Sequence, residues 1–413
     1  MNVLGGALAA GAKLMAMVRT GLDRLVGDGF AALRGRSVGI VCNQASIDSN
    51  IDHILDLIEP YHRSGALRVR AVFGPQHGLG GHTQDNMIEW EGGADARAGW
   101  PVYSLYGEHR EPTPAMLDGI DLLVVDLQDA GARYYTFVWT MALCMKACAL
   151  AGVPVLVLDR PNPVGGLEVE GSVLRPEFAS FVGLYPLPMR HGMTIGEIAR
   201  YLAATFFPRC ELRVLEMEGW ERAMLFGDTG LPWAMPSPNL PTPDSALVYP
   251  GGCLIEGTNL SEGRGTTRPF EIVGAPYLDG HRFCEALNRI GLPGVKFRPI
   301  QFEPTFNKFA RAMCEGCFIH VLDRRSYRPV LTSVAILQEA TRQAGGRFEW
   351  KAPPYEYEYE KRPIDILAGN SWLAESISRL VPLAEIGERM ADECATFEPT
   401  REKLYAPTSS ERG

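Results

Sequence analysis

The sequence predicts an α/β protein in which a Rossmann-like, mostly parallel sheet is followed by a smaller α+β domain. Three observations predict it. Short β-branched runs alternate with longer helical stretches through the first half, as βαβ units do. At 413 residues the chain is too long for one ordinary core, so two domains are expected. A proline-rich stretch at residues 231–250 then changes the texture of the sequence and marks a boundary.

Taken in order, Ser37-Val-Gly-Ile-Val-Cys42 reads as a buried strand, followed by a helix over 51–64. Arg68-Val-Arg-Ala-Val-Phe73 is the next strand. Asp121-Leu-Leu-Val-Val-Asp126 and Val153-Pro-Val-Leu-Val-Leu158 flank a helical pattern over 137–151. Thr194 with Glu197 three residues later forms a capping pair that opens a helix reaching about Phe206. Beyond the proline-rich stretch the spacing predicts a strand over 317–322 and helices over 329–343 and 372–398. The tyrosine and glutamate run within Pro353-Pro-Tyr-Glu-Tyr-Glu-Tyr-Glu-Lys-Arg-Pro363 reads as a surface loop or edge strand. No internal repeat is found.

Composition narrows the function classes. The chain is 46% hydrophobic and 22% charged, as globular proteins are. A net charge of −9 without a long basic run argues against nucleic acid and anionic membrane surfaces as partners. No stretch approaches the roughly 20 apolar residues of a membrane span. Residues 3–12 are small and apolar, but no positive cluster precedes them, and Lys13 and Arg19 interrupt the run. They read as a short helix rather than a secretory leader. With nine scattered cysteines suited to reducing conditions, this favours the cytoplasm. Cys314 and Cys317 form a CxxC without a second pair, and His77, His82 and Asp85 are only a loose group, so no metal is expected. Oligomeric state is not legible.

In an open parallel sheet, ligands bind beyond the carboxyl ends of the strands. Four expected strands end in polar tails there. These tails carry Asn43, then Gln76 and His77, then Asp126, Gln128 and Arg133, and finally Asn162. No GxGxxG follows the first strand and no GxxxxGK[ST] occurs, so no nucleotide cofactor is expected. A second concentration, Glu256-Gly-Thr-Asn259-Leu-Ser-Glu262-Gly-Arg264-Gly-Thr-Thr267, brings two carboxylates and a guanidinium into a glycine-rich loop, where the backbone can approach a ligand closely. Glu170 is a third carboxylate in a loop beside glycine. Other readings compete. Arg264 could simply pair with a glutamate, His191 reads as a structural hydrogen-bonder, and Tyr134, Tyr135, Trp90 and Trp139 suit a core as well as a sugar face.

Longer strings carry a resemblance. Tyr103-Ser-Leu-Tyr-Gly107, residues 126–136, Leu158-Asp-Arg-Pro-Asn-Pro163, Arg190-His-Gly-Met-Thr-Ile-Gly-Glu197, Pro236-Ser-Pro-Asn239 and the run 256–271 resemble the NamZ-like exo-β-N-acetylmuramidases, in order from about residue 20 to residue 405. The resemblance implies a Rossmann-like catalytic domain at 18–245, an auxiliary domain at 246–405 and a cleft between them. It also implies a glycosidase that releases N-acetylmuramic acid from non-reducing ends of peptidoglycan fragments. Such chemistry needs a general acid and a second group that supplies or activates the nucleophile, a part that the acetamido oxygen of an N-acetyl sugar could also play. Glu256 and Glu262 lead as candidates, with Glu170 in reserve and His77 beside them, and Arg133 or Arg264 is expected to read the lactyl carboxylate. One departure stands out. Many relatives carry Pro-Glu-His-Gly where this chain has Pro75-Gln76-His77-Gly78, and an amide cannot trade a proton as a carboxyl does. Asp85 or Glu89 is then expected to replace the lost group; the alternative is a protein of altered specificity, or one that binds amino sugars without cutting them.

Overall fold

The computed structural model describes residues 17–404 except Asn86. The expected N-terminal helix lies largely outside these residues. The first half builds β1 (Ser37–Cys42), β2 (Arg68–Gly74), β3 (Gly93–Ala94), β4 (Pro101–Ser104), β5 (Leu122–Asp126) and β6 (Val155–Leu158), then a hairpin of β7 (Glu170–Val173) and β8 (Pro188–Arg190), then β9 (Leu212–Leu215). Seven of these strands form one sheet in the order β3-β4-β2-β1-β5-β6-β9. Every neighbouring pair is parallel except β3 with β4. All residues of β5 and β6 are buried, because a parallel sheet covered by helices on both faces favours unbroken apolar runs. The helices are α1 (Gly21–Gly27), α2 (Ile54–Arg63), α3 (Phe137–Ala151) and α4 (Ile195–Thr205). The Thr194 and Glu197 capping box opens α4 as the spacing predicts.

The second half contains α5 (Pro243–Gly252), a 3-10 turn over Cys253–Gly257, β10 (Ile272–Ala275), α6 (Gly280–Ile290), β11 (Val295–Phe302) and β12 (Cys314–Val321). It continues with α7 (Pro329–Gln343), α8 (Pro363–Ala368), α9 (Trp372–Ser378) and α10 (Leu383–Glu402). Strands β10, β12 and β11 form a three-stranded antiparallel sheet. Together with the seven-stranded sheet this gives a two-domain α/β architecture.

Three expectations need correction. The proline-rich stretch does hold a helix, α5: Pro243 occupies its first position, where no N–H is needed, and Pro250 falls near its end. The single helix expected over 372–398 is two, α9 and α10, because Leu380 adopts a left-handed φ of 54° and Pro382 follows it. The run after Pro354 is not a surface loop throughout, since Tyr355 and Glu356 are each 3% exposed.

The two halves share apolar packing. One buried cluster includes Val125 of β5, Phe137 and Trp139 of α3, Tyr249 of α5, Phe270, and Leu367 of α8. Among the described residues, one buried apolar cluster therefore spans both halves.

Candidate active site

The chain order of the large sheet reverses between β1 and β5, the usual place for a ligand. Here protein groups fill much of that crevice. Asp126 at the end of β5 receives Nε and Nη2 of Arg160 at 2.6 and 2.8 Å, with both side chains buried. Asn43 Nδ2 donates to the Pro236 carbonyl at 2.8 Å. Gln128 Nε2 donates to the carbonyls of Asp129 and Pro161 at 2.8 and 2.9 Å. Asn162 bonds the Met193 carbonyl and the Val164 N–H, bracing its own loop. These polar tails satisfy backbone groups where β-strands give way to loops, a demand as strong as any ligand's.

Four further candidates also have structural partners. Arg133 is fully buried and donates to three carbonyls, those of Ser172 and Leu187 at 2.8 Å each and of Leu367 at 2.5 Å. Burial pulls its pKa down to about 10, which leaves it charged at neutral pH. Glu170 pairs with Arg190 at 2.7 Å across the β7–β8 hairpin. Asn259 donates to the Arg347 carbonyl and accepts from Tyr277. Glu262 meets Lys308 Nζ at 2.8 Å and Arg264 Nε at 3.2 Å. His191 is buried against Asp129 at 3.1 Å. Trp139 donates to the Arg133 carbonyl and Trp90 to that of Pro75, so both indoles are structural.

Gln76, His77, Glu256 and Arg264 do come together, lining one cleft. Gln76 and His77 follow β2 directly, and Tyr134, Tyr135 and Thr136 lead into α3 on the same side. The opposite wall carries Glu256 from the 3-10 turn, Arg264 from the glycine-rich loop, and Tyr355 and Glu356 from the tyrosine and glutamate run.

Glu256 Oε1 accepts from Arg264 Nη2 at 2.8 Å, and Oε2 accepts from the Tyr355 hydroxyl at 2.7 Å. Burial opposes its charge, but Arg264 and the Tyr355 hydrogen bond outweigh burial and hold the carboxyl below its ordinary range. Glu356 is set the other way. Burial, reinforced by the Glu256 charge, pushes its pKa up to about 7 despite hydrogen bonds from Tyr106 and Gln76. Its Oε2 accepts from the Tyr106 hydroxyl at 2.6 Å and its Oε1 from Gln76 Nε2 at 3.2 Å. The other end of the Gln76 amide, Oε1, accepts from Thr136 at 2.7 Å. One cleft thus holds a carboxylate and a carboxyl that remains substantially protonated near neutral pH.

His77 takes a left-handed φ of 71°, and its Nδ1 lies 2.7 Å from the Thr83 carbonyl. Burial lowers its pKa to about 4, so the ring is neutral at pH 7 with its proton on Nδ1 and a lone pair on Nε2. Asp85 and Glu89, the expected substitutes for a carboxyl at position 76, accept from Asn307 and Arg110, and the charge of Asp85 acts on His77. The group beside Gln76 is Glu356, which sequence reasoning missed. An acid between two tyrosines in a charged run looks solvated, and only the distant Tyr106 and Gln76 reveal otherwise.

Comparison with known proteins agrees with this architecture. Residues 38–244 match the profile of the N-terminal part of the exo-β-N-acetylmuramidase NamZ, and residues 247–406 match that of its C-terminal part. The chain is 41% identical over 389 residues to the peptidoglycan β-N-acetylmuramidase NamZ of Bacillus subtilis (strain 168), covering 94% of this chain and 90% of that protein. A crystal structure of a DUF1343 family protein from Bacteroides fragilis superposes with a TM-score of 0.83 at 31% identity, covering 94% of this chain and 98% of that one. A second DUF1343 protein from the same organism gives 0.73 at 26% identity, covering 95% and 99%. On these matches, with the two-sheet architecture and the shared cleft, the chain belongs to the NamZ exo-β-N-acetylmuramidase family.

Proposed function

We propose that the protein is a glycoside hydrolase that releases N-acetylmuramic acid from the non-reducing ends of peptidoglycan fragments. The observation that carries this reading is that two carboxyl groups meet in one cleft in opposite settings, Glu256 bonded to Arg264 and Tyr355, which favour its charge, and Glu356 buried beside Tyr106 and Gln76, where burial favours the proton. Glycosidases most often use two carboxyl groups in opposite protonation states. Residues 18–245 supply one wall of this site and residues 246–405 the other. Glu256 faces the sugar as the fixed negative charge that answers positive charge developing at C1. His77, neutral and carrying a lone pair on Nε2, accepts a hydrogen bond from a sugar hydroxyl or amide. The curated relative from Bacillus subtilis bears the name of this activity, which supports the same substrate class.

The competing reading, a protein that binds amino sugars without cutting them, drew its force from Gln76. It is not favoured, because the amide lies against another carboxyl. Among the described residues no helix is long and apolar enough to cross a membrane. The nine cysteines are free and buried, which supports action in a reducing compartment such as the cytoplasm. The test is release of N-acetylmuramic acid from its chromogenic β-glycoside and from a disaccharide with N-acetylglucosamine. Sugar release from both is expected; binding without release returns the site to the non-cutting reading.

A further inference from the structure

We propose that Glu356 is the group that protonates the glycosidic oxygen, and that Gln76 and Tyr106 are positioning residues that aim it. A carboxyl from the second half of the chain thereby takes the place left open by glutamine at position 76. This assignment rests on the glycosidase reading above.

Three features support it. Glu356 lies in the cleft that holds Glu256, and both of its oxygens are held by side chains from the sheet domain. Tyr106 and Gln76 also bond each other at 3.1 Å, so carboxyl, phenol and amide form a closed triangle. The segment that carries Glu356 turns sharply: Glu356 and Tyr357 have consecutive left-handed φ values of 46° and 66°, uncommon for non-glycine residues. Arg110 clamps this strap from outside, its guanidinium 4.1 Å from the Tyr357 ring centre and 4.5 Å from that of Tyr106.

The amide at position 76 sets how this acid titrates. A second carboxyl 3.2 Å from Glu356 would share its proton, and the two would ionise as a coupled pair. Gln76 supplies the hydrogen bond without a second ionisation, leaving one proton to give. The other groups around Glu356 are the Tyr106 phenol, the charges of Glu256 and Arg264 across the cleft, and its chain neighbours Tyr355 and Tyr357, with Arg110 and Glu89 behind the latter. As the C1–O bond breaks, its electron pair stays on the glycosidic oxygen, which takes the proton from Glu356 and leaves as a neutral alcohol. Glu356 is left as a carboxylate. Water completes C1, and the proton that water loses restores the carboxyl.

The experiment compares two leaving groups. Wild type, Glu356→Gln and Tyr106→Phe are assayed on a muramic acid–glucosamine disaccharide, whose alcohol needs a proton to leave, and on a dinitrophenyl muramic acid glycoside, whose phenolate does not. Glu356→Gln is expected to lose about 10²- to 10⁴-fold in kcat on the disaccharide and far less on the aryl glycoside. Tyr106→Phe removes a donor that favours the charged form, so the alkaline limb of its rate profile should move to higher pH. Equal losses on both substrates, or an unmoved alkaline limb in Tyr106→Phe, overturn the assignment of Glu356 while leaving the glycosidase reading intact. A wild type inactive on both substrates overturns the glycosidase reading, and this assignment with it. Should Glu356→Gln fail to fold, the Tyr106→Phe profile decides.

Discussion

Each oxygen of Glu256 has its own partner, Arg264 on one side and Tyr355 on the other, and the pair is buried. Removing its charge should act on both chemistry and stability. Glu256→Gln is expected to lower kcat by roughly 10²- to 10⁴-fold and to reduce stability by as much as about 3–5 kcal/mol, the typical result of breaking a buried ion pair. Assays alongside thermal melting check both, and near-normal turnover would move the chemistry elsewhere. Arg264 is engaged by Glu256 and Glu262. With its guanidinium so engaged, Arg264→Lys is expected to reduce kcat/KM equally on muramic acid and glucosamine glycosides. A selective loss on the lactyl-bearing sugar would restore Arg264 as a reader of that group. Glu356 also has a signature in stability. Its pKa in the folded protein, about 7, lies above its ordinary 4.5, so its contribution is complete below 4.5 and disappears as pH rises through 7. Between about pH 5 and about pH 8, wild type should therefore lose stability relative to Glu356→Gln in denaturant titrations. Parallel curves for the two proteins would show that Glu356 titrates normally.

Among the elements, the strap around Glu356 is the most exposed to disruption, because it owes its position to side chains of the other half. Arg110→Ala removes the contact with the Tyr106 and Tyr357 rings, an interaction worth about 0.5–1 kcal/mol at exposed sites. The expected result is faster amide exchange across residues 355–358, lower kcat and little change in melting temperature. Unchanged exchange would mean that the strap is held without Arg110. This element also shows what the sequence reveals. Strands β1, β2, β5 and β6, the Thr194 cap and helix α7 were legible, since periodicity and capping are local physics. The edge strand β3, its neighbour β4 and the β7–β8 hairpin were not, being short and without an apolar run. Within the site, Gln76, His77, Glu256 and Arg264 were legible as polar residues in glycine-rich or strand-end loops. The same pattern also selected Asp126, Asn162 and Arg133, because a loop that must satisfy its own buried backbone looks like one prepared for a ligand. Glu356 escaped because its partners lie 250 and 280 residues away.

On the scale of the whole molecule, the apolar cluster that joins α3 and β5 to α5 and α8 argues against independent domains. Calorimetry should show one cooperative transition whose calorimetric and van't Hoff enthalpies agree; two resolved transitions would show that the halves unfold separately. The buried guanidinium of Arg133 adds a constraint in time. Its three carbonyl partners come from residues 172, 187 and 367, and the last is made when most of the chain has already left the ribosome. Until then the nascent sheet domain carries an interior cation with part of its coordination missing, so its core stays open to water. Synthesis of this protein should thus pass through a long interval in which the first half is collapsed but unfinished, dependent on chaperones and open to proteases, and translation past Leu367 should end it.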